Sequence, residues 1–229
     1  IMEYKGKGRP RGSLIGGCIN DADYYTQWTE GGQRHTCPFF RAWSSMISRV
    51  YSVRLKEIHP TYEGTAMYEE WRLFSNFKSW MEGQVWNDGT QKLQLDKDIL
   101  FVGNLEYSPT TCVFVPKYLN VLLNDCRGQR GKLPQGVSYQ GPSRDAGPNR
   151  SSPFYSYVRS GGKTLRFGYY STPMQAHAAW QEGKALEIEK AVDRYTQNVY
   201  HDRRVVDALL SRAARLRQDC AECTETVKL

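Results

Sequence analysis

Apolar residues first fall into register just after Cys37. Trp43, Met46, Ile47 and Val50 recur at the three-and-four spacing that gathers side chains on one helical face, and Pro38 suits a first helical turn. Arg41, Ser45 and Arg49 take other positions around the same helix. His59-Pro60 ends the pattern, because the residue before a proline disfavours the α region. A second helix is predicted over 68–81, where Trp71, Phe74, Phe77 and Trp80 follow one another in steps of three; that stripe reads as core rather than as a platform for bases. Asn87-Asp88-Gly89 is a turn signal.

Alternation then replaces helical spacing. The stretch 93–102 reads as a strand that Gly103-Asn104 turns, and Pro116 opens a short helix carrying Lys117 and Asn120. A strand, a loop and a helix within about 30 residues outline a compact ββα element, a geometry able to bring Asp96 and Asn120 together. Residues 127–152 are rich in Gly, Pro, Ser, Arg and Gln, and the turn-rich run 141–153 reads as a long, mobile loop. FYSYVRS and TLRFGYY alternate on either side of a Gly161-Gly162 hairpin turn. Thr172 is the expected cap and Pro173 the first residue of a helix running to about Val192, with Met174, Ala178, Gln181 and Ala185 on one side. A further helix is expected from Arg194 to Gln218, holding Val199, Val205, Val206, Leu209, Leu210 and Leu216. Arg203, Arg204, Arg212, Arg215 and Arg217 fall on its remaining surface, as a solvated basic face or a contact for DNA backbone.

Charge adds a partner class. The chain of 229 residues has 31 Lys and Arg against 24 Asp and Glu, a formal net charge of +7. Such an excess favours a polyanion, since each phosphate neutralised releases condensed counterions. The first 17 residues carry Lys5, Lys7, Arg9 and Arg11 among glycines and read as a basic arm. No apolar run is long enough to span a bilayer, and the first residues lack a secretory apolar segment, so the expectation is a cytoplasmic protein. Six cysteines include one Cys220-Ala-Glu-Cys223 pair; without a second such pair it reads as free thiols rather than a zinc site.

Three blocks then carry a resemblance. Ile19-Asn20-Asp21-Ala22-Asp23-Tyr24 with CPFFRAWSSMISRVYS, the pairs Tyr68-Glu69-Glu70-Trp71 and Phe77-Lys78-Ser79-Trp80, and LDKDIL…GN…YSPTTCVFVPKYLN together resemble phage-encoded HNH endonucleases of the homing type. GVSYQ and YSYVRSGGKTLRFGYYSTPMQAHAAW resemble the AP2-like DNA-binding domain that such proteins carry. The resemblance implies an α+β chain with a basic arm (1–17), an HNH-like nuclease domain (18–127), an AP2-like domain (128–193) and a C-terminal helix and tail (194–229). It implies a double-stranded DNA partner, no small-molecule substrate, and cleavage with Mg²⁺ or Mn²⁺. In AP2-like domains a three-stranded sheet backed by one helix lies in the major groove.

Carried over residue by residue, Asp96 matches the strand metal ligand and Asn120 the helix ligand, both hard oxygen donors suited to Mg²⁺. The middle of the motif departs from the family. Lys97 stands where the base histidine belongs, and Thr111 where the loop asparagine belongs. An unperturbed lysine, with a pKa of about 10.4, is a poor base at neutral pH. Three readings follow: Lys97 or a remote histidine acts as base, Asp98 orients the water, or cleavage is lost and DNA binding kept. For the DNA reader, Tyr155, Tyr157 and Arg159 alternate on one strand, with Lys163, Arg166 and Tyr169 on the next and Arg144 and Arg150 in the preceding loop.

Overall fold

The computed structural model describes residues 14–124, 131–140, 152–160 and 163–229. Most of the basic arm, the Gly161-Gly162 turn and the candidate contacts Arg144 and Arg150 lie outside the described residues. The fold is α+β, with α-helices of 6 to 24 residues and four small sheets among the described residues. No described helix is long and apolar enough to cross a membrane.

The chain divides into two compact units, 1–115 and 116–229. In the first, a hairpin of β1 (Gln27–Glu30) and β2 (Gln33–Thr36) precedes α1 (Pro38–Tyr51) and α2 (Val53–Ile58). The hairpin turns on Gly31 and Gly32, both at positive φ, a signal the sequence pattern above does not use. Helix α1 follows its apolar spacing: Phe40, Trp43, Met46, Ile47 and Val50 are buried. Full burial of a side chain of this size is worth about 1.5–3 kcal/mol, so this face outweighs the helix's modest propensity.

The helix expected over 68–81 is interrupted. A 3₁₀ turn spans Glu69–Arg72, Leu73 is extended, and α3 covers Phe74–Glu82. The cause lies in the chain's first described segment. Ile19 N–H donates to the Arg72 carbonyl at 2.8 Å and Phe74 N–H to the Ile19 carbonyl at 3.1 Å, so this segment takes the bonds that would have continued the helix. The aromatic stripe still enters the core as expected. Trp71 packs at 4.6 Å from Trp80 and 5.1 Å from Phe77, and the Trp43 indole N–H donates to the Trp71 carbonyl at 2.6 Å.

The other strands of this unit are short. A parallel pair joins β3 (Ala66–Met67) to β5 (Glu106–Tyr107), and an antiparallel pair joins β4 (Gln94–Asp96) to β6 (Val113–Val115). The strand expected over 93–102 stops at Asp96, whose side chain caps the backbone that follows. The helix opened by Pro116, α4 (Lys117–Leu122), falls in the second unit, so the division precedes the expected boundary at 127. The reason is packing: Leu119 and Leu122 are buried, the Lys184 ammonium donates to the Leu122 carbonyl, and the Arg194 guanidinium lies 4.1 Å from the Tyr118 ring centre.

The second unit is built on a three-stranded antiparallel sheet in the order β7 (Val137–Tyr139), β8 (Phe154–Ser160), β9 (Lys163–Tyr170). Helix α5 (Pro173–Thr196) crosses it, opened by a capping box between Thr172 and Gln175 and by Pro173. Of the side expected on this helix, Gln181 and Ala185 are buried but Met174 is not. Met174 is exposed, while Ala176, His177, Trp180, Gln181, Lys184, Ala185 and Ile188 are buried. The helix is covered on two sides, by the sheet and by α6 (Arg203–Ala221), so a single-stripe pattern does not describe it. It also runs past Val192, and the last helix begins at Arg203 behind an Asp202 cap rather than at Arg194. Val199, expected in that helix, therefore precedes it and is 88% exposed, and Leu210 within it is exposed too.

Gly183 lets α5 approach the sheet, since a Cβ there would stand 2.3 Å from the Phe167 ring. The basic face expected on α6 is largely neutralised. Arg217 grips Glu189 at 2.5 and 2.7 Å, Arg204 pairs with Asp202, Arg203 and Arg215 sit near Asp207 and Asp219, and Arg212 is buried.

Candidate functional sites

In the first unit, the Asp96-Lys97-Asp98 triplet folds into a hydrogen-bonded turn. Asp96 Oδ1 accepts the backbone N–H groups of Asp98 at 2.8 Å and Ile99 at 2.6 Å, an Asx turn that ends β4. Lys97 turns inward and is 6% exposed. Its Nζ donates to Asp98 Oδ1 at 2.5 Å and to the Asn104 carbonyl at 2.7 Å, and lies 5.8 Å from the Tyr107 ring centre. Asn104 closes the turn: its amide donates to the carbonyls of Lys97 and Glu106, and its Oδ1 accepts the Glu106 N–H. Thr111 works the same way in the next loop, donating to the Glu106 carbonyl at 2.7 Å and accepting from the Ser108 N–H at 3.1 Å. Lys97 and Thr111 thus hold loops together in the structure.

Burial pushes the Asp96 carboxyl above its ordinary range, partly offset by its two backbone donors and by Lys97. On the other side, Arg49 of α1 donates to the Tyr107 hydroxyl at 3.2 Å, and burial raises that hydroxyl to about 12. Asp96 acts electrostatically on Arg49. The sequence reading missed Arg49 and Tyr107 as neighbours of Asp96, because only the tertiary fold brings α1 and β5 to the end of β4.

A divalent ion fits poorly on the Asp96 side. One of its carboxylate oxygens already serves the Asx turn, Asp98 is held by an ammonium, and two cations stand nearby. Among the described residues no three His, Cys, Asp or Glu side chains gather closely enough to hold a metal ion. Asn120 belongs to the second unit. The histidines have other occupations. His35 stacks on Trp28 at 5.5 Å, and His59 meets Tyr62 edge-on. His201 hydrogen-bonds the Asn198 carbonyl through Nδ1. His177 is buried, with Nδ1 2.8 Å from the Gln135 carbonyl and Nε2 accepting the Thr226 N–H at 3.0 Å. A ring nitrogen that accepts carries no proton, so His177 is the neutral tautomer protonated on Nδ1. Cys220 and Cys223 are free thiols, and Cys220 donates to the Ala178 carbonyl.

In the second unit, the sheet has two unlike faces. Val137, Ser156 and Val158 are buried beneath α5. Tyr155, Tyr157 and Arg159 alternate with them and so point the other way. The β8–β9 register places Tyr169 opposite Tyr155, Arg166 opposite Tyr157 and Thr164 opposite Arg159. A bulge at Phe167 lets both Arg166 and Tyr169 reach this outer face while the Phe167 ring turns to α5. Tyr155 lies 5.7 Å from Tyr157 and 6.0 Å from Tyr169, and the Arg166 guanidinium covers the Tyr155 ring at 5.5 Å. Arg159, Arg166 and Tyr169 are exposed. Five of the side chains expected to contact DNA therefore form one patch. Lys163 pairs with Ser160 at the open end of the hairpin, in the opposite phase, and is exposed at the edge.

Comparison of the chain with protein-family profiles, with curated proteins and with solved structures finds no match.

Proposed function

We propose that the chain is a duplex-DNA-binding protein of the HNH/AP2-like type, and that the outer face of β7–β9 is its DNA-contacting surface. One observation carries the proposal: Tyr155, Tyr157, Tyr169, Arg159 and Arg166 share the face turned away from α5, with no carboxylate among them. Arginine takes guanine bidentately through the major groove, and tyrosine hydroxyls hold phosphates. Stacking on Tyr155 holds the Arg166 fork in place, which lowers the entropy lost on binding. The net charge of +7 supplies the long-range attraction.

Binding measured by fluorescence anisotropy over a salt series tests this. Replacing Arg159 or Arg166 by Ala should weaken binding and, where the contact is to phosphate, lower the salt slope by about one per residue. Unchanged affinity and slope in both variants would refute the assignment of the surface.

The second reading is metal-dependent nicking or cleavage. The observation in its favour is order: the antiparallel β4–β6 pair leads directly into the helix carrying Asn120, the ββα sequence of an HNH element. Against it stands the donor set at Asp96, from which no metal-assisted step follows. Supercoiled plasmid incubated with Mg²⁺ or Mn²⁺ separates the two. Nicking abolished by Asp96→Ala, with duplex affinity kept, establishes the enzyme; intact plasmid with tight binding establishes the binder.

A further inference from the structure

Three cations of the first unit converge on a groove that the Asp96 turn does not use. Arg41, Ser45 and Arg49 lie four residues apart on α1, so all three project from one side of that helix. Lys92, preceding β4, faces them across a cavity of about 290 Å³. Trp86 and Phe114 complete the wall. Phe114 is buried, whereas Trp86 is half-buried and keeps part of its ring open to the groove.

The lining contains no carboxylate. Among the described residues neither Arg41 nor Lys92 has an acidic partner, whereas Arg72 of the same unit pairs with Glu69 and lies over the Tyr51 ring. Arg49 donates to the Tyr107 hydroxyl and lies 5.8 Å from the Tyr62 ring centre, and a guanidinium carries five N–H groups, more than those contacts use. The first turn of α1 also borders the groove through Pro38 and Arg41, adding the positive end of a helix dipole.

Clustered cations are costly to hold together unless an anion joins them, and the apolar wall suits something flatter than a bare ion. The geometry points to a binding site for one nucleotide unit, its phosphate held by Arg41, Arg49, Lys92 and the Ser45 hydroxyl and its base laid against Trp86. The volume matches the lower end of small-ligand pockets, the size of a single nucleotide rather than of a duplex. Two sources share this chemistry: a free nucleotide, or an unpaired nucleotide within single-stranded DNA. The site lies in the first unit and does not depend on the sheet reading.

The full chain is titrated with four probes while tryptophan fluorescence is followed: a deoxynucleoside 5′-monophosphate, the parent nucleoside, inorganic phosphate and a single-stranded decanucleotide. The monophosphate should quench the signal, and the quench should disappear in Trp86→Phe. Arg41→Ala and Lys92→Ala should each weaken it about tenfold, the scale of one charge-assisted hydrogen bond. Both side chains are exposed, so far-UV circular dichroism should remain unchanged. The decanucleotide should compete at the same site. Competition much tighter than the monophosphate's assigns single-stranded DNA as the source, and comparable competition assigns the free nucleotide. The same titration in Arg166→Ala should be unaltered, whatever that variant does to duplex binding. No quench by the monophosphate, equal binding of inorganic phosphate, or indifference to Arg41→Ala and Lys92→Ala would each overturn the proposal.

Discussion

Lys97→Met tests whether the lysine of the Asp-Lys-Asp triplet is structural or chemical. Methionine keeps most of the stem that lies against Tyr107, so the packing loss stays below about 1.5 kcal/mol. The Asn104 carbonyl loses its ammonium donor, and leaving such an acceptor unpaired in a partly buried site costs about 1–3 kcal/mol. Asp98 is 55% exposed on its side chain and turns to water, so the broken ion pair adds no more than about 1 kcal/mol. Removing a buried ammonium recovers some desolvation energy. The balance is a destabilisation of about 1–3 kcal/mol, because the carbonyl and packing terms outweigh what desolvation returns. Urea unfolding followed by near-UV circular dichroism reads it as a lower midpoint at unchanged slope. A variant as stable as the parent, binding duplex equally well but unable to nick plasmid, would refute this account and make Lys97 a chemical group.

Three further predictions follow from single contacts. Tyr155→Ala removes the ring under Arg166 as well as its own hydroxyl, so duplex affinity should fall by more than for Tyr157→Ala; anisotropy at one fixed salt concentration compares them, and equal losses would remove the stacking argument. Asp96→Asn keeps the Asx-turn acceptor without the charge. An acid whose native pKa is raised destabilises the fold when ionised, so the variant should be more stable than the parent at pH 7. Its advantage should shrink as pH falls through the raised native value toward the ordinary carboxylate value of about 3.9, which chemical denaturation at several pH values measures. Gly183→Ala sets helix propensity against sterics: alanine gains about 1 kcal/mol in an α-helix, but its Cβ meets the Phe167 ring, and overpacking of that kind costs about 1–3 kcal/mol. The clash should win, giving a lower thermal midpoint; a rise would show that Phe167 moves aside freely.

The parts of the fold that could be read in the sequence are those whose signals are local and one-sided. Helix α1 is buried along one stripe, so its apolar spacing names its core residues correctly. Strands β8 and β9 are covered on one face only, so period-two alternation separates Val158 from Tyr157 and Arg159 without knowledge of the helix beneath. Thr172-Pro173 announces the start of α5 because capping chemistry depends on three or four adjacent residues. Where burial comes from two directions the pattern fails. Helix α5 lies between a sheet and a helix, its buried set includes His177, Gln181 and Lys184, and its polar groups find partners far along the chain: Gln181 bonds Thr226, and Lys184 the Leu122 carbonyl. Segment 68–81 fails for a related reason, since Ile19, more than 50 positions away, takes the backbone groups on which the helix would have depended.

The Asp96 region shows why candidate chemistry is harder to read than candidate surface. A carboxylate followed by two free backbone N–H groups makes an Asx turn, and a carboxylate at a strand end also makes a metal ligand; the two share one sequence signature. What separates them is where the next charges go, and here Lys97 turns inward to Asp98 and Asn104. Asn104 was visible only as the residue after a turn glycine, yet its side chain makes three of the bonds that close the loop. The α1 groove follows the opposite course. The spacing of Arg41, Ser45 and Arg49 was plain in the sequence but carried no weight until Lys92 and Trp86 stood opposite them. A cation on a helix is ordinary; three around one cavity with no carboxylate in its lining favour an anion. On the proposal above, the first unit's ligand site lies along α1, while Lys97 bonds Asp98 and Asn104 and Asp96 serves the Asx turn.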